Sequence, residues 1–330
     1  MGPVAGGVIA RLAGAGAALY EAAWETRRAV YARGWLRPRR VPARVVSIGN
    51  LTVGGTGKTT LTLHLARRAI ERGMRCAVVC RDYRADRSGM SDEATLYRQA
   101  LDGEREGRVF VGARKRERAA AAAAAGFETV LVDDGFSTWS LERDLDVVLL
   151  DARDPWGGGA LLPAGRLREP RRALQRAAVV VVSRLGPGED PEPCLREVAG
   201  YAPAALLAAG RHRVRDVAPL HAGDPLPASR RVRVVTGTGN PQAVAATARE
   251  AGLEVISLSA YRDHHWFSEG EARRELDAAR REDAALLLTA KDAVRWRRQS
   301  HATPVVVLRV IWEWVRGGDA VERLVLGEGP

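Results

Sequence analysis

The sequence predicts an α/β protein: a parallel sheet flanked by helices, with a smaller C-terminal α/β unit and an amphipathic N-terminal helix. Three observations carry this. A β-branched run at 44–48 leads into a glycine-rich loop and then into helical spacing at 58–72. Short apolar runs then alternate with helical stretches, which implies parallel strands joined by helical crossovers. Beyond Pro187 the chain is punctuated by proline and glycine, and a second alternation begins near residue 232.

The elements follow in order. Residues 2–19 are rich in Ala, Gly and Val but broken by Arg11. They lack the basic start and cleavage site of a secretory signal, and cannot span a bilayer. The next stretch, 12–35, is amphipathic, with Leu19, Ala23, Val30 and Trp35 set among Arg27, Arg28 and Arg33, and a basic cluster at 37–40 follows. Two readings are open: a helix lying in a membrane interface with its arginines toward anionic lipid, or a helix packed on the core. The run at 44–48 is the first strand, and 58–72 places Leu61, Leu65 and Ile70 on one helical side. Further strands are predicted at 76–80, 108–111, 129–132, 147–150 and 178–182, with an alanine-rich helix at 114–125. A ribbon at 205–220 leads to a second set of strands at 232–236, 254–258, 285–288 and 304–308, with helices from 241 and over 268–281. The expected organisation is a membrane-associating segment (1–40), a phosphate-loop domain (41–204), a linker ribbon (205–225) and a C-terminal α/β domain (226–330).

The loop itself reads Thr52, Val53, Gly54, Gly55, Thr56, Gly57, Lys58, Thr59. Glycines without a Cβ let the backbone curl around a phosphate and aim N–H groups at it, and the following helix adds its positive end. Lys58 reaches the outer phosphates, and the Thr59 hydroxyl holds magnesium. The strict pattern has glycine where this chain has Thr52, yet the strand–loop–helix context makes all eight residues candidate nucleotide contacts, a P-loop NTPase-like signature. The fourth strand ends in Asp133 and Asp134 before Gly135. Adjacent carboxylates at the C-terminal end of an apolar strand are placed to hold Mg2+, so Thr59, Asp133 and Asp134 are the candidate metal ligands.

A chain of 330 residues with 46% apolar content can bury a large core. Its net charge of +11 suits phosphorylated ligands, anionic lipid or nucleic acid without choosing among them. Cys76, Cys80 and Cys194 make no even framework and no metal-ligand pair, so a reducing compartment is expected. Dimerising ATPases carry a lysine just before the paired glycines, where Val53 stands. GTPases read guanine with an Asn/Thr-Lys-x-Asp order that Thr289, Ala290, Lys291 and Asp292 do not have.

With these motifs in place the chain resembles the tetraacyldisaccharide 4'-kinases of lipid A biosynthesis. The loop from Gly49 to its Lys58-Thr59 end is similar to theirs. The segments Asp133-Asp134-Gly135-Phe136, Leu141-Glu142-Arg143-Asp144, the run 161–170, Asp263-His264 and Lys291-Asp292-Ala293-Val294 match in the same order. The resemblance implies transfer of the γ-phosphoryl group of ATP, with Mg2+, to the 4'-hydroxyl of an acylated glucosamine disaccharide 1-phosphate. It also implies a peripheral position on the cytoplasmic face of the inner membrane, with no nucleic acid and no obligate protein partner. Carried over by position, Asp92 pairs with His264 to activate the acceptor hydroxyl, and Arg168 and Glu169 lie near the transferring phosphate. Taken singly, Asp92 reads as a helix N-cap and His264 as an ordinary loop residue. As the two are far apart in sequence, their pairing is expected to need the second α/β unit folded over the mouth of the first.

Several positions depart from the family pattern. Ser137 and Thr138 replace Gln-His after the acidic motif, Asp82 and Arg84 replace two glycines after the second strand, Ser91 replaces glycine, and Ala290 replaces glutamate. These departures put the acceptor in question. A related kinase with another glycolipid or small-molecule acceptor, and a non-catalytic membrane-associated ATPase switch, remain the alternatives; a switch has no use for a base.

Overall fold

The structure, a computed structural model, describes residues 3–82, 91–101, 103–224, 226–297 and 302–327. The chain opens with α1 (Pro3–Ala32), then β1 (Arg44–Asn50), α2 (Lys58–Glu71), β2 (Cys76–Cys80), α3 (Asp92–Leu101), β3 (Gly107–Val111), α4 (Lys115–Ala124), β4 (Thr129–Asp133) and β5 (Leu145–Asp151). It continues through β6 (Val179–Ser183), α5 (Glu192–Ala199), β7 (Leu206–Pro219), β8 (Arg231–Thr236), α6 (Pro241–Glu250) and β9 (Glu254–Ala260). It closes with α7 (Glu269–Arg281), β10 (Ala285–Thr289), α8 (Ala290–Arg295), β11 (Val305–Arg316) and α9 (Gly318–Leu326). The departure at Arg84 lies outside the described residues.

Two compact units emerge. The first comprises 1–81, 103–211 and 313–330, and the second 82–102 and 212–312. Within the first, strands run in the order β3-β2-β4-β1-β5-β6-β7 with parallel pairing throughout. Both faces are covered, which is why β2, β4 and β6 are buried at every position and read as unbroken apolar runs rather than alternating ones. Val45, Val79, Val130 and Val132 pack against Ala119, Ala122 and Phe127 on one face. Leu51, Phe136, Val148, Val180 and Leu174 form the core of the other. The second unit orders its strands β11-β10-β8-β9, again parallel. Phe267, Leu276, Leu286, Leu288 and Trp296 make its core. Its helix α7 starts on a capping box, Ser268 with Glu271.

The partition differs from contiguous domain boundaries. Residues 205–225 are not a separate linker: β7 is a long strand whose first residues pair with β6 in the first unit. Helix α3, early in the sequence, belongs to the second unit, and the C-terminal helix α9 belongs to the first. Physically, α3 packs on α8, while α9 packs on α2 through Glu322, which pairs with His64 at 2.7 Å and Arg68 at 2.8 Å.

The N-terminal helix packs along one side, as the reading of a helix on the core expects. Its stripe at residues 16, 17, 20, 21, 24 and 25 faces the rest of the first unit, to which α1 belongs, and Trp24 is 8% exposed within the core cluster. The opposite side carries Leu12 and Leu19 at 68% and 75% exposure. No described helix is long and apolar enough to cross a membrane.

Candidate active site

Strand β1 delivers the phosphate loop. Its last residue, Asn50, is fully buried and donates from Nδ2 to the Thr52 carbonyl at 2.8 Å, tying the first turn of the loop. Gly54 and Gly57 have φ of 111° and 87°, a region that side chains rarely tolerate. Gly57 precedes α2 with no side-chain cap, so the first N–H groups of the helix point into the loop. Thr52 needs no glycine because it sits in extended backbone, bridged to Leu167, with its side chain buried. That bridge explains the 161–170 motif: Val53 donates its N–H to the Arg166 carbonyl at 2.8 Å, and Arg168 donates to Leu51 at 2.6 Å. The segment therefore lies along the loop as a short antiparallel partner.

The cations and carboxylates converge beside it. Lys58 Nζ donates to Asn50 Oδ1 at 3.0 Å and stands 3.8 Å from Asp134. Arg168 grips Asp134 as a fork, at 2.7 and 3.0 Å, and also donates to the Asn50 side chain. Burial alone would raise the Asp134 pKa, but Lys58, Arg168 and Lys115 outweigh it and hold the carboxyl well below its usual range. Asp134 adopts φ of 50°, and Lys115 at the start of α4 donates to its carbonyl at 2.6 Å. Gly135 is required there, since a Cβ would lie 2.6 Å from the Ser47 side chain. Asp133 is buried at the end of β4.

No group of three or more His, Cys, Asp or Glu gathers to hold a metal alone among the described residues. Thr59 in the first turn of α2 and Asp133 and Asp134 at the end of β4 carry only oxygen donors. That set fits Mg2+, which keeps waters and shares phosphate oxygens with the nucleotide. Asn50 and Lys115 were not anticipated. Asn50 sits inside the motif without a signature of its own, and Lys115 is one cation among Arg114, Arg116 and Arg118.

Glu169 departs from the expectation of a place by the transferring phosphate. Its carboxylate is 2% exposed, pairs with Arg176, and accepts from Trp24 Nε1 at 3.1 Å and from Ser137 Oγ at 2.7 Å. Every one of these partners is internal, so Glu169 is an anchor rather than a group facing substrate. The departure at Ser137, and Trp139 two residues on, belong to the same assembly. Trp139 meets Trp24 edge-on with ring centroids 6.0 Å apart, and Arg176 lies 4.3 Å over the Trp139 ring. Ser137 and Trp139 thus serve the seat of α1.

In the second unit, His264 Nδ1 lies 3.1 and 3.2 Å from the two Asp92 oxygens. The pairing needs no folding of one unit over another, because both residues belong to the second. Asp92 is the first residue of α3, and the cap is Ser91, whose hydroxyl accepts from Ala94 N at 3.2 Å. The Asp92 carboxylate therefore meets His264 while also accepting from Glu93 N at 2.9 Å, in the first turn of α3. His264 holds φ of 61°, a left-handed conformation fixed by its N–H donating to Gly237 O at 3.1 Å. The lysine motif supplies the footing. Thr289 caps α8, Asp292 accepts from Gly237 N at 2.9 Å and from Arg295 at 2.8 Å, and Lys291 donates to Glu93 at 2.7 Å. Burial pushes the Asp92 pKa up, but His264, Lys291 and Arg295 pull it down further, to about 2. The hydrogen bond to Asp92 raises the His264 pKa above its ordinary value against the effect of burial. In the neutral tautomer whose Nδ1–H faces Asp92, Nε2 is the proton-accepting nitrogen, with Asp263 Oδ2 3.9 Å from it.

The family model described as LpxK, tetraacyldisaccharide-1-P 4'-kinase, matches residues 10–326. A curated tetraacyldisaccharide 4'-kinase of Anaeromyxobacter sp. (strain Fw109-5) is 36% identical over 324 residues, covering 91% of this chain and 86% of its own. That of Geobacter sulfurreducens is 36% identical over 312 residues, covering 88% and 86%. The crystal structure of LpxK from Aquifex aeolicus in complex with ATP superposes with a TM-score of 0.70 at 22% identity, covering 94% of this chain and 96% of that one, which speaks to the shared fold. The match runs along nearly the whole sequence and the relatives are more than 30% identical: the chain belongs to the tetraacyldisaccharide 4'-kinases.

Proposed function

We propose that this protein transfers the γ-phosphoryl group of ATP to the 4'-hydroxyl of a tetraacyldisaccharide 1-phosphate, working as a peripheral protein on the cytoplasmic face of the inner membrane. The observation that carries the chemistry is the Asp92–His264 pair in a chain that also holds a complete phosphate loop. A sugar hydroxyl is a weak nucleophile, and a carboxylate-oriented imidazole takes its proton as attack proceeds. A nucleotide switch acting on water has no need of that pair.

The loop 52–59 holds the triphosphate, with Lys58 on its outer oxygens. Mg2+, held by Thr59 and the Asp133–Asp134 pair, would neutralise charge on the β- and γ-phosphates. Arg168 supplies a planar guanidinium where charge develops on the transferred group. His264 receives the acceptor proton, and Asp92 stabilises the imidazolium that forms. Incubation with ATP, Mg2+ and the disaccharide 1-phosphate should add one phosphoryl mass to the lipid, read by mass spectrometry. Transfer to other glycolipids but not to this one would overturn the acceptor assignment.

The exposed side of α1 supports the membrane contact. Leu12 and Leu19 lie on its open side, with Arg27, Arg28 and Arg33 further along the chain. Such a helix rests in the headgroup region with its arginines at anionic lipid. Leu12→Glu with Leu19→Glu should shift the protein from anionic vesicles to the supernatant while leaving its melting temperature unchanged, because both residues are exposed. Added salt should weaken binding of the parent protein. Undiminished sedimentation of the double variant would move the contact elsewhere.

A further inference from the structure

We infer that Tyr20 and Trp24 of α1 are positioning residues for Arg168, so that the N-terminal helix sets the guanidinium that serves the transferring phosphate; this rests on the role proposed for Arg168.

The guanidinium of Arg168 reaches Asp134 and Asn50, while its backbone is held from two sides. On one side its N–H donates to Leu51 O at 2.6 Å, which ties it to the phosphate loop. On the other its carbonyl accepts from the Tyr20 hydroxyl at 2.9 Å. The next residue, Glu169, is gripped by Trp24 Nε1, Ser137 and Arg176. Tyr20 and Trp24 are four residues apart, so they stand one above the other on a single helical face. Glu21 and Glu25, one position along, accept from Arg172 at 2.6 and 2.6–2.9 Å. Close contact continues at the start of the stripe, where a Cβ on Gly16 would meet Pro163 at 3.0 Å. The helix therefore contacts the 161–172 segment at several successive turns, and the two contacts nearest the chemistry fall on Arg168 and its neighbour.

A fork gripping a carboxylate works within narrow angular limits, so a small shift of the Arg168 backbone moves its nitrogens off the phosphate oxygens. A helix that merely covered the core would affect stability and not turnover.

The test uses the full chain. Tyr20→Phe removes a single hydroxyl, and Trp24→Phe keeps the ring but loses the N–H. Each should lower kcat by roughly three- to fivefold, the worth of about one hydrogen bond, with KM for ATP unchanged; the melting temperature should hold in Tyr20→Phe and fall in Trp24→Phe, which takes a donor from the buried Glu169 carboxylate. Arg168→Lys keeps the charge and loses the fork, and should lower kcat by itself. In that background Tyr20→Phe should cost nothing more, because the geometry it protects is already gone. The same fractional loss in both backgrounds, or unchanged kcat in both single variants, overturns the inference and leaves the role of Arg168 standing. Unchanged kcat in Arg168→Lys and Arg168→Ala would instead refute the role of Arg168, and the inference with it. Tyr20→Phe, at a partly exposed position, keeps the test open if Trp24→Phe fails to fold.

Discussion

Lys58→Ala should abolish phosphoryl transfer, lowering kcat by about 10³-fold or more, while the protein still folds. The charge of Lys58 is what the loop brings to the outer phosphates, and a preorganised cation in a water-poor site is worth several kcal/mol to a transition state that gathers negative charge. Folding is spared because Asp134, the carboxylate 3.8 Å from Lys58, keeps its fork from Arg168. Asp134→Ala acts differently. It removes the partner of Arg168 and one candidate Mg2+ ligand, so the rate should fall and the Mg2+ concentration needed for half-maximal rate should rise. Single-turnover transfer followed across a Mg2+ titration, with a thermal melt of each variant, checks both. Near-normal transfer by a folded Lys58→Ala protein would sink the assignment of this loop as the phosphate site.

Much of this site was legible in the sequence because its signals are local. A strand, a glycine loop and a helix are consecutive in the chain, so Gly54, Gly57, Lys58 and Thr59 identify their own surroundings. The acidic pair likewise follows directly from the apolar run of β4. What stayed hidden depends on contacts between distant segments. Lys115 begins the alanine-rich helix among Arg114, Arg116 and Arg118, with nothing local to set it apart from them, yet it is 4% exposed and holds the backbone at Asp134. Glu169 follows Arg168 directly, yet the two side chains part: one goes to Asp134 and the other into the packing beneath α1. The contiguous domain boundaries missed that α3 leaves the first unit, because nothing in 92–101 marks which sheet it packs on. Ser137, which with Thr138 departs from the family pattern, reads in sequence as a change in acceptor recognition, but its contact with Glu169 ties it to the seat of α1.

The lipid contact proposed for α1 is compatible with its packing on the core. Hydrophobic residues at helical spacing are equally suited to a core and to a bilayer surface. Here Trp24 is buried in the core and the side bearing Leu12 and Leu19 is open. A helix anchored along one side can present the other to lipid.

Asp92→Asn and His264→Ala should each lower kcat by ~10²–10⁴-fold, the usual cost of losing a general base, with little change in KM for ATP. Two residues acting as a unit give a double variant scarcely worse than the worse single one. Independent structural roles would multiply instead. The pH dependence separates the two partners further. The active form of His264 is the neutral ring, and Asp92 raises its pKa, so the rate should fall as pH drops through a value above the ordinary 6.5 for histidine. Asp92→Asn takes away the charge that raises it, so the acid limb of the surviving activity should move to lower pH. Stability carries the opposite signature for the histidine. A raised pKa contributes stability fully present below the unfolded value and lost as pH climbs through the folded one. The Asp92 carboxyl, depressed to about 2, contributes above its unfolded pKa and loses that contribution as pH falls toward 2. Melting temperatures across pH, measured beside kcat for the parent and both variants, record these opposed limbs. An acid limb that stays in place in Asp92→Asn, or additive losses in the double variant, would separate His264 from Asp92 and leave the acceptor hydroxyl without its oriented base.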